Sequence, residues 1–250
     1  MTVALRTEGL GKSFGAFKAN SDITLAFETG ARHAIIGPNG AGKTTFINLL
    51  TGYLPPTAGE VWLGEERVTQ LPQHLRVKRG MTRTFQINTL FPGLTVLESV
   101  TLACCERHGR GGVWWRSAAS ALEQIDEARA ILARLRLEGD TDVETRNLPY
   151  GKQRLLEIAL ALATRPRVLL LDEPAAGIPS AESAELFGVI AALPRDVSIV
   201  FIEHDMNLVF KFAEKITVLV AGRVLVEGAP EAISRDTQVR EVYLGEAQHA

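Results

Sequence analysis

Cysteine is nearly missing from this 250-residue chain: only Cys104 and Cys105 occur, and they are adjacent. Neighbouring thiols suit neither a disulfide framework nor a metal site, so both are expected as small buried hydrophobes. Long apolar runs are missing too. Stretches such as 168–171 and 197–202 fall far short of the ~18 residues of a membrane-spanning helix, so any membrane association has to come through another protein. The opening MTVALRTEGL has neither the basic segment nor the apolar stretch of a secretory signal, and a cytoplasmic chain is expected. Neither sign of charge dominates. The 27 Lys and Arg against 29 Asp and Glu leave a net charge of -2 and give no reason to expect a nucleic-acid partner. No internal repeat or low-complexity segment stands out.

What is present is an ordinary globular composition, 46% hydrophobic and 22% charged, over a length that can bury a sizeable core with or without an insertion. Short aliphatic runs at 31–36, 168–171, 198–202 and 216–220 are bounded by Gly, Pro or charges. They predict strands buried on both faces of a largely parallel sheet. Residues 3–10, 23–27 and 60–63 predict shorter, half-exposed strands of an antiparallel edge. From 87 to 165 the pattern turns helical, with Leu122, Ile125, Leu132 and Leu135 on one stripe. The basic group Arg76, Lys78, Arg79 and Arg83 reads as a solvated face or a partner contact. Trp114 and Trp115, in a glycine-rich stretch, either fold back on the helices or dock a partner.

Residues 37–45, GPNGAGKTT, follow one predicted strand and open a helix, which is the setting that G-x-x-x-x-G-K-S/T requires. Gly37 and Gly42 permit backbone geometry that a side chain would obstruct, so the amides of Gly37, Pro38, Asn39, Gly40, Ala41 and Gly42 can form a phosphate-wrapping loop, Pro38 lacking an N–H. The following helix directs its amino end at the anion. Lys43 can reach the β and γ phosphates of ATP, the Thr44 hydroxyl can ligate Mg²⁺, and Thr45 caps or supports the loop. In RVLLLDEP, Asp172 stands at a strand end as a second Mg²⁺ ligand, and Glu173 is the candidate general base for an attacking water.

The long interval between Lys43 and Asp172, with its helical insertion, leads to a family. The chain resembles the ATP-binding subunit of an ABC transporter over almost its whole length. The resemblance implies an α/β P-loop NTPase fold with a mainly parallel core, an antiparallel β edge and an inserted helical subdomain. Residues 1–86 and 166–250 would be the core and 87–165 the helical part. It assigns Phe14 to adenine stacking, Gln86 to the link between metal, attacking water and transmembrane subunits, and His204 to the γ phosphate. RTFQINTLFPGLTVLESV, LPYGKQRLLEIALAL with LLLDEPAAGI, and VYLGE further resemble the uptake ATPases for branched-chain amino acids, a group that also imports other amino acids, amides, urea and aromatic acids.

In that family two ATPase subunits pack head to tail, each offering a signature, L-S-G-G-Q, to the ATP of the other. Leu148, Pro149, Tyr150, Gly151 and Lys152 occupy those places here, with Gln153 following. Pro149 removes a hydroxyl and an N–H, while Lys152 adds a charge that could offset the loss. Pro179 departs from the Asp or Asn usual in the loop that senses the opposite site. These departures suit a heterodimer with a second ATPase subunit, a homodimer being the alternative. Two permease subunits and, indirectly, a substrate-binding protein complete the expected partners, at the cytoplasmic face of the membrane. Leu90, Phe91 and Leu94 either line a groove for a permease helix or pack the helical subdomain. Rival readings are a P-loop phosphotransferase, an ATP-driven clamp on DNA or ribosomes, and a regulatory subunit that binds ATP without hydrolysing it.

Overall fold

The structure is a computed structural model that describes residues 2–84, 90–109 and 122–246. Gln86 and the Trp114–Trp115 pair lie outside the described residues. Two compact units emerge: Met1–Met81, Arg167–Pro174 and Pro194–Ala250 in the first, Thr82–Pro166 and Ala175–Leu193 in the second.

The antiparallel sheet of the first unit has the order β2-β1-β4-β5, from β1 (Val3–Phe14), β2 (Phe17–Glu28), β4 (Ala58–Leu63) and β5 (Glu66–Arg67). β1 and β2 run 12 residues each, longer than the alternation alone suggested, because register shifts carry their pairing past Gly11 to a tight turn at Gly15. The second sheet takes in β6 (Met81–Arg83), β7 (Val168–Asp172), β8 (Ser198–Ile202), β3 (Arg32–Ile36), β9 (Lys215–Val220) and β10 (Arg223–Gly228). Its order is β10-β9-β3-β8-β7-β6. β3 is parallel to both β8 and β9, and β7 is parallel to β8. Every residue of β3 and β8 is buried, which is why these strands read as unbroken aliphatic runs.

Helix α1 (Lys43–Thr51) joins the two sheets. Its Phe46, Ile47, Leu49 and Leu50 share one core with Leu10, Ile23 and Phe27 of the antiparallel sheet and Ile35, Leu170 and Ile202 of the parallel one. Burying four such side chains stabilises the helix position by roughly 1.5–3 kcal/mol each.

The far end of α1 corrects the expectation of a solvated basic face. Arg76, on α2 (Gln73–Lys78), is only 1% exposed. Its guanidinium donates to the carbonyls of Leu49 at 2.8 Å, Leu50 at 2.5 Å, Thr69 at 2.7 Å and Leu71 at 2.9 Å. Two of these are carbonyls of the last turn of α1, of which Leu49 also accepts the Gly52 N–H at 3.3 Å, so a cation there also meets the negative end of the helix dipole. Burial lowers the Arg76 pKa to about 10, and the side chain stays charged at neutral pH. Lys78 and Arg79 are exposed as expected.

His33, on β3, is a second buried polar group. Its Nε2 lies 2.7 Å from the Thr217 hydroxyl, which itself donates to Glu227 at 3.0 Å. With the Thr217 proton committed, the ring must be the donor through Nε2. Burial holds its pKa down near 4, and the ring is neutral.

The second unit contains α3 (Val96–Arg107), α4 (Leu122–Arg134), α5 (Tyr150–Ala163) and α6 (Ser180–Ala191). α3 starts with a reciprocal cap between Thr95 and Glu98. Arg107 and Arg165 converge on Glu127, at 2.6 Å and 2.9 Å, and the Arg107 hydrogen bond pulls the Glu127 carboxyl down to about 2. The buried face of α4 and its end is Gln124, Ala128, Ile131, Leu132 and Leu135. Leu122 is 59% exposed, against expectation: as the first helical residue, two positions before Gln124, it points about 200° away from that face. Cys104 is buried and its thiol pKa rises to about 11, whereas Cys105 is only half-buried. No helix among the described residues is long and apolar enough to cross a membrane.

Candidate functional site

The loop between β3 and α1 is shaped by its glycines. Gly37 has φ 152°, and a Cβ there would lie 2.1 Å from the Leu219 carbonyl oxygen. Gly42, the N-cap of α1, has φ 93°, and its Cβ would come within 2.5 Å of the Ala19 carbonyl. Only glycine fits either position, and the backbone is free to fold inward around an anion. The N-cap Gly42 has no side chain with which to cap α1, and a helix amino end of this kind suits an anion. The Lys43 ammonium donates to the carbonyls of Gly37 at 2.6 Å and Pro38 at 2.9 Å, which keeps it folded over the loop and largely buried. Thr44 is exposed one residue on; Thr45 is half-buried within the first turn, and Asn39 and Gly40 are exposed.

β7 ends at Asp172, and Glu173 follows at φ 49°, outside the strand region. The parallel pairing of Asp172 with Ile202, and the Glu173 N–H donating to the Ile202 carbonyl at 3.0 Å, bring the end of β8 alongside. His204 stands two residues beyond, and its Nε2 lies 2.8 Å from Glu173 Oε1. The next residue, Asp205, caps α7 (Met206–Phe212) by accepting from Asn207 N–H at 2.8 Å, which fixes the turn that carries His204. Both members of the pair are nearly half exposed, at 44% and 47% of the side chain. A carboxylate and an imidazole in contact, open to water, can take and return a proton.

Phe14 is 50% exposed at the end of the β1–β2 hairpin, with the Lys12 ammonium 5.2 Å from its ring centre. It is no core aromatic. The same hairpin and the β9–β10 turn each carry a residue the sequence reading missed. Asn20 donates from Nδ2 to the Gly42 carbonyl at 3.2 Å, and the Gly222 N–H donates to the Ala41 carbonyl at 3.0 Å. Nothing local marks these positions. Asn20 looks like any polar residue in a half-exposed strand, and Gly222 like any hairpin glycine.

In the second unit, Pro149 is the N-cap of α5 and no side chain caps that helix. The preceding Leu148 is buried. Tyr150, 44% exposed, donates to the Ala176 carbonyl at 3.2 Å and accepts from Arg154 at 3.1 Å. Gln153 turns back to the Leu148 carbonyl at 2.9 Å, and Gly151 follows Tyr150 in the first turn. Lys152 departs from the expectation that its charge is spare: its ammonium sits on both oxygens of Asp140, at 2.7 Å and 2.8 Å. Glu157, one turn further along, is buried beside Arg154, and burial raises its carboxyl to about 7. Pro179 is the N-cap of α6. Phe91 is 56% exposed, with Leu90 and Leu94 half-buried.

A glycine loop at a strand–helix junction, with a lysine folded over it and an acidic pair at the end of another strand of the same sheet, defines a P-loop nucleotide hydrolase. The sequence matches the ABC transporter family over residues 20–176 and, over residues 223–249, a family described as branched-chain amino acid ATP-binding cassette transporter. It is 39% identical to the high-affinity branched-chain amino acid transport ATP-binding protein BraF of Pseudomonas aeruginosa, over 97% of this chain and 98% of that protein. Among solved structures, the ADP conformation of MJ1267, an ATP-binding cassette of an ABC transporter, superposes with a TM-score of 0.84 at 30% identity, covering 98% of this chain and 99% of the other. The dimeric bacterial ABC transporter cassette MJ0796 superposes at 0.74 with 26% identity, over 90% and 98%. The chain belongs to the ABC transporter family, as one of its ATP-hydrolysing subunits.

Proposed function

We propose that this chain binds and hydrolyses Mg-ATP at the loop of residues 37–45 and powers import of branched-chain amino acids through a pair of permease subunits. The uncapped amino end of α1, framed by glycines at which no Cβ fits, carries the nucleotide half of that reading. The likeness to BraF over nearly the whole chain carries the cargo half.

Among the described residues no cluster of three or more His, Cys, Asp or Glu could hold a metal on its own. The donor set fits Mg²⁺, which is commonly held by one hydroxyl, one carboxylate and substrate phosphates: Thr44 and Asp172 would be the protein ligands, and the family resemblance adds Gln86. Bound there, the ion neutralises charge on the transferring phosphoryl group. Loop amides and Lys43 hold the phosphates. Glu173, with Oε1 engaged by His204, accepts a proton from water at its other carboxylate oxygen as the water oxygen bonds to the γ phosphorus and ADP departs. Phe14 offers its exposed face to the adenine.

The signature of residues 148–153 faces the nucleotide of a second ATPase subunit, as the family resemblance implies, and the likeness to a cassette solved as a dimer supports a paired arrangement. Because Pro149 supplies neither hydroxyl nor N–H and Asp140 neutralises Lys152, this chain gives a poorer signature than it receives, which favours a heterodimer. The complex lies at the cytoplasmic face of the membrane. Purification from membranes tests the reading: two multispanning permeases and a second ATPase should accompany the chain, with leucine uptake lost in Lys43→Ala. Soluble partners alone would overturn the transport assignment.

A further inference from the structure

Asn20 is 1% exposed, yet it lies on a strand whose buried neighbours, Ala19 and Ile23, are apolar. Its Oδ1 is buried with no hydrogen-bond partner in the protein. An aliphatic residue would avoid that cost, commonly about 1–3 kcal/mol. The compensating contact is the bond from Nδ2 to the Gly42 carbonyl at 3.2 Å. That carbonyl already accepts the Phe46 N–H at 2.9 Å, the first rung of α1. Asn20 therefore takes its second lone pair, and the two donors together fix the plane of the Gly42–Lys43 peptide. In a trans peptide the N–H points opposite to the C=O, so pinning the Gly42 oxygen aims the Lys43 N–H into the loop. The preceding peptide is treated the same way: the Gly222 N–H holds the Ala41 carbonyl at 3.0 Å, which turns the Gly42 N–H.

We propose that Asn20 is a positioning residue of the phosphate loop, holding the Gly42 carbonyl outward so that the Lys43 amide is preset toward a nucleotide's β phosphate. This rests on the loop being the ATP site. The contact is made from outside the loop, by a β2 residue that touches no phosphate. It sets direction, and its loss allows the peptide to rotate and the anion to bind a less ordered ring of donors.

Calorimetry of Mg-ADP binding to the full chain tests it. Asn20→Ala should raise Kd about tenfold while the nucleotide-free melting temperature stays within about 3 °C of wild type. Thr7→Val serves as the control, since Thr7 is a buried polar residue of the same antiparallel sheet that bonds Ile23 and Leu25 and has no contact with the loop. It should lower the melting temperature with Kd unchanged. If Asn20→Ala does not fold, Asn20→Ser, which keeps a donor, should fold and bind with an intermediate Kd. An unchanged Kd in either Asn20 variant, or an equal rise of Kd in Thr7→Val, overturns the proposal. A wild-type chain that binds no Mg-ADP overturns the nucleotide reading and this proposal together, whereas normal wild-type binding with an unaffected variant removes Asn20 alone.

Discussion

Glu173 is held at φ 49°, a region that costs a non-glycine residue about 1–3 kcal/mol, and its carboxylate meets His204 at 2.8 Å. Such strain persists only where the surroundings enforce it, here the bond from its own N–H to Ile202. Glu173→Gln keeps the shape and removes the proposed base. Turnover should fall by about 10²- to 10⁴-fold with Mg-ATP affinity within about threefold, a split that single-turnover kinetics and equilibrium binding measure. Arg76 is the opposite sort of residue, with no chemistry and four carbonyls to satisfy. Arg76→Leu removes its bonds to all four and should cost about 3 kcal/mol, lowering the melting temperature by about 6–12 °C in calorimetry. Arg76→Lys should recover only part of this, because one ammonium cannot span the four positions that a planar guanidinium reaches.

Two elements carry buried titratable groups whose linkages have opposite sign. His33 on β3 has its pKa lowered from 6.5 to about 4, chiefly by burial, so the unfolded chain takes up that proton first. The stability it gives is full above pH 6.5 and is lost as pH falls toward 4. Glu157 on α5 has its pKa raised from 4.5 to about 7, again chiefly by burial, so the folded chain holds that proton longer, and stability falls as pH rises from 4.5 through 7. Between pH 4.5 and 6.5 the two slopes oppose one another. Glu157→Gln should expose the His33 slope, with stability rising with pH, and His33→Gln the reverse, both read from denaturant unfolding across that window. A variant pair with parallel pH profiles would contradict the assignment. The elements differ as much in how readable they were. β3, β7 and β8 were legible because burial on both faces leaves an unbroken aliphatic run, and the phosphate loop because its glycines serve local geometry. Arg76 was misread because long-range packing decided it, a cation being drawn into the end of another helix, and Leu122 because it lies on the side of α4 away from Gln124. Asn20, whose partner is 22 positions away, could not have been picked from its neighbours.

On the scale of the whole molecule, the proposed assembly has the two units offering different donors to nucleotide. With this chain's own site silenced by Glu173→Gln, Pro149→Ser in the assembled transporter should raise turnover at the partner's site, by about tenfold for one regained hydrogen bond to a charged group. Asp140→Asn, which frees Lys152, should act in the same direction. In a background with Glu173 intact, Pro149→Ser should leave turnover at this chain's own loop unchanged; a rise at both sites alike would contradict the asymmetry. The phosphate loop has a consequence of another kind. Its curvature is written in three distant stretches of the chain: the loop itself, Ala19–Asn20 on β2 and the Gly222 turn between β9 and β10. The nonapeptide GPNGAGKTT is thus not a portable module. Grafted onto a foreign strand–helix junction without those two outside props, it would carry the motif's letters and lack its preset grip on phosphate, so transplanting the activity means transplanting a contact map.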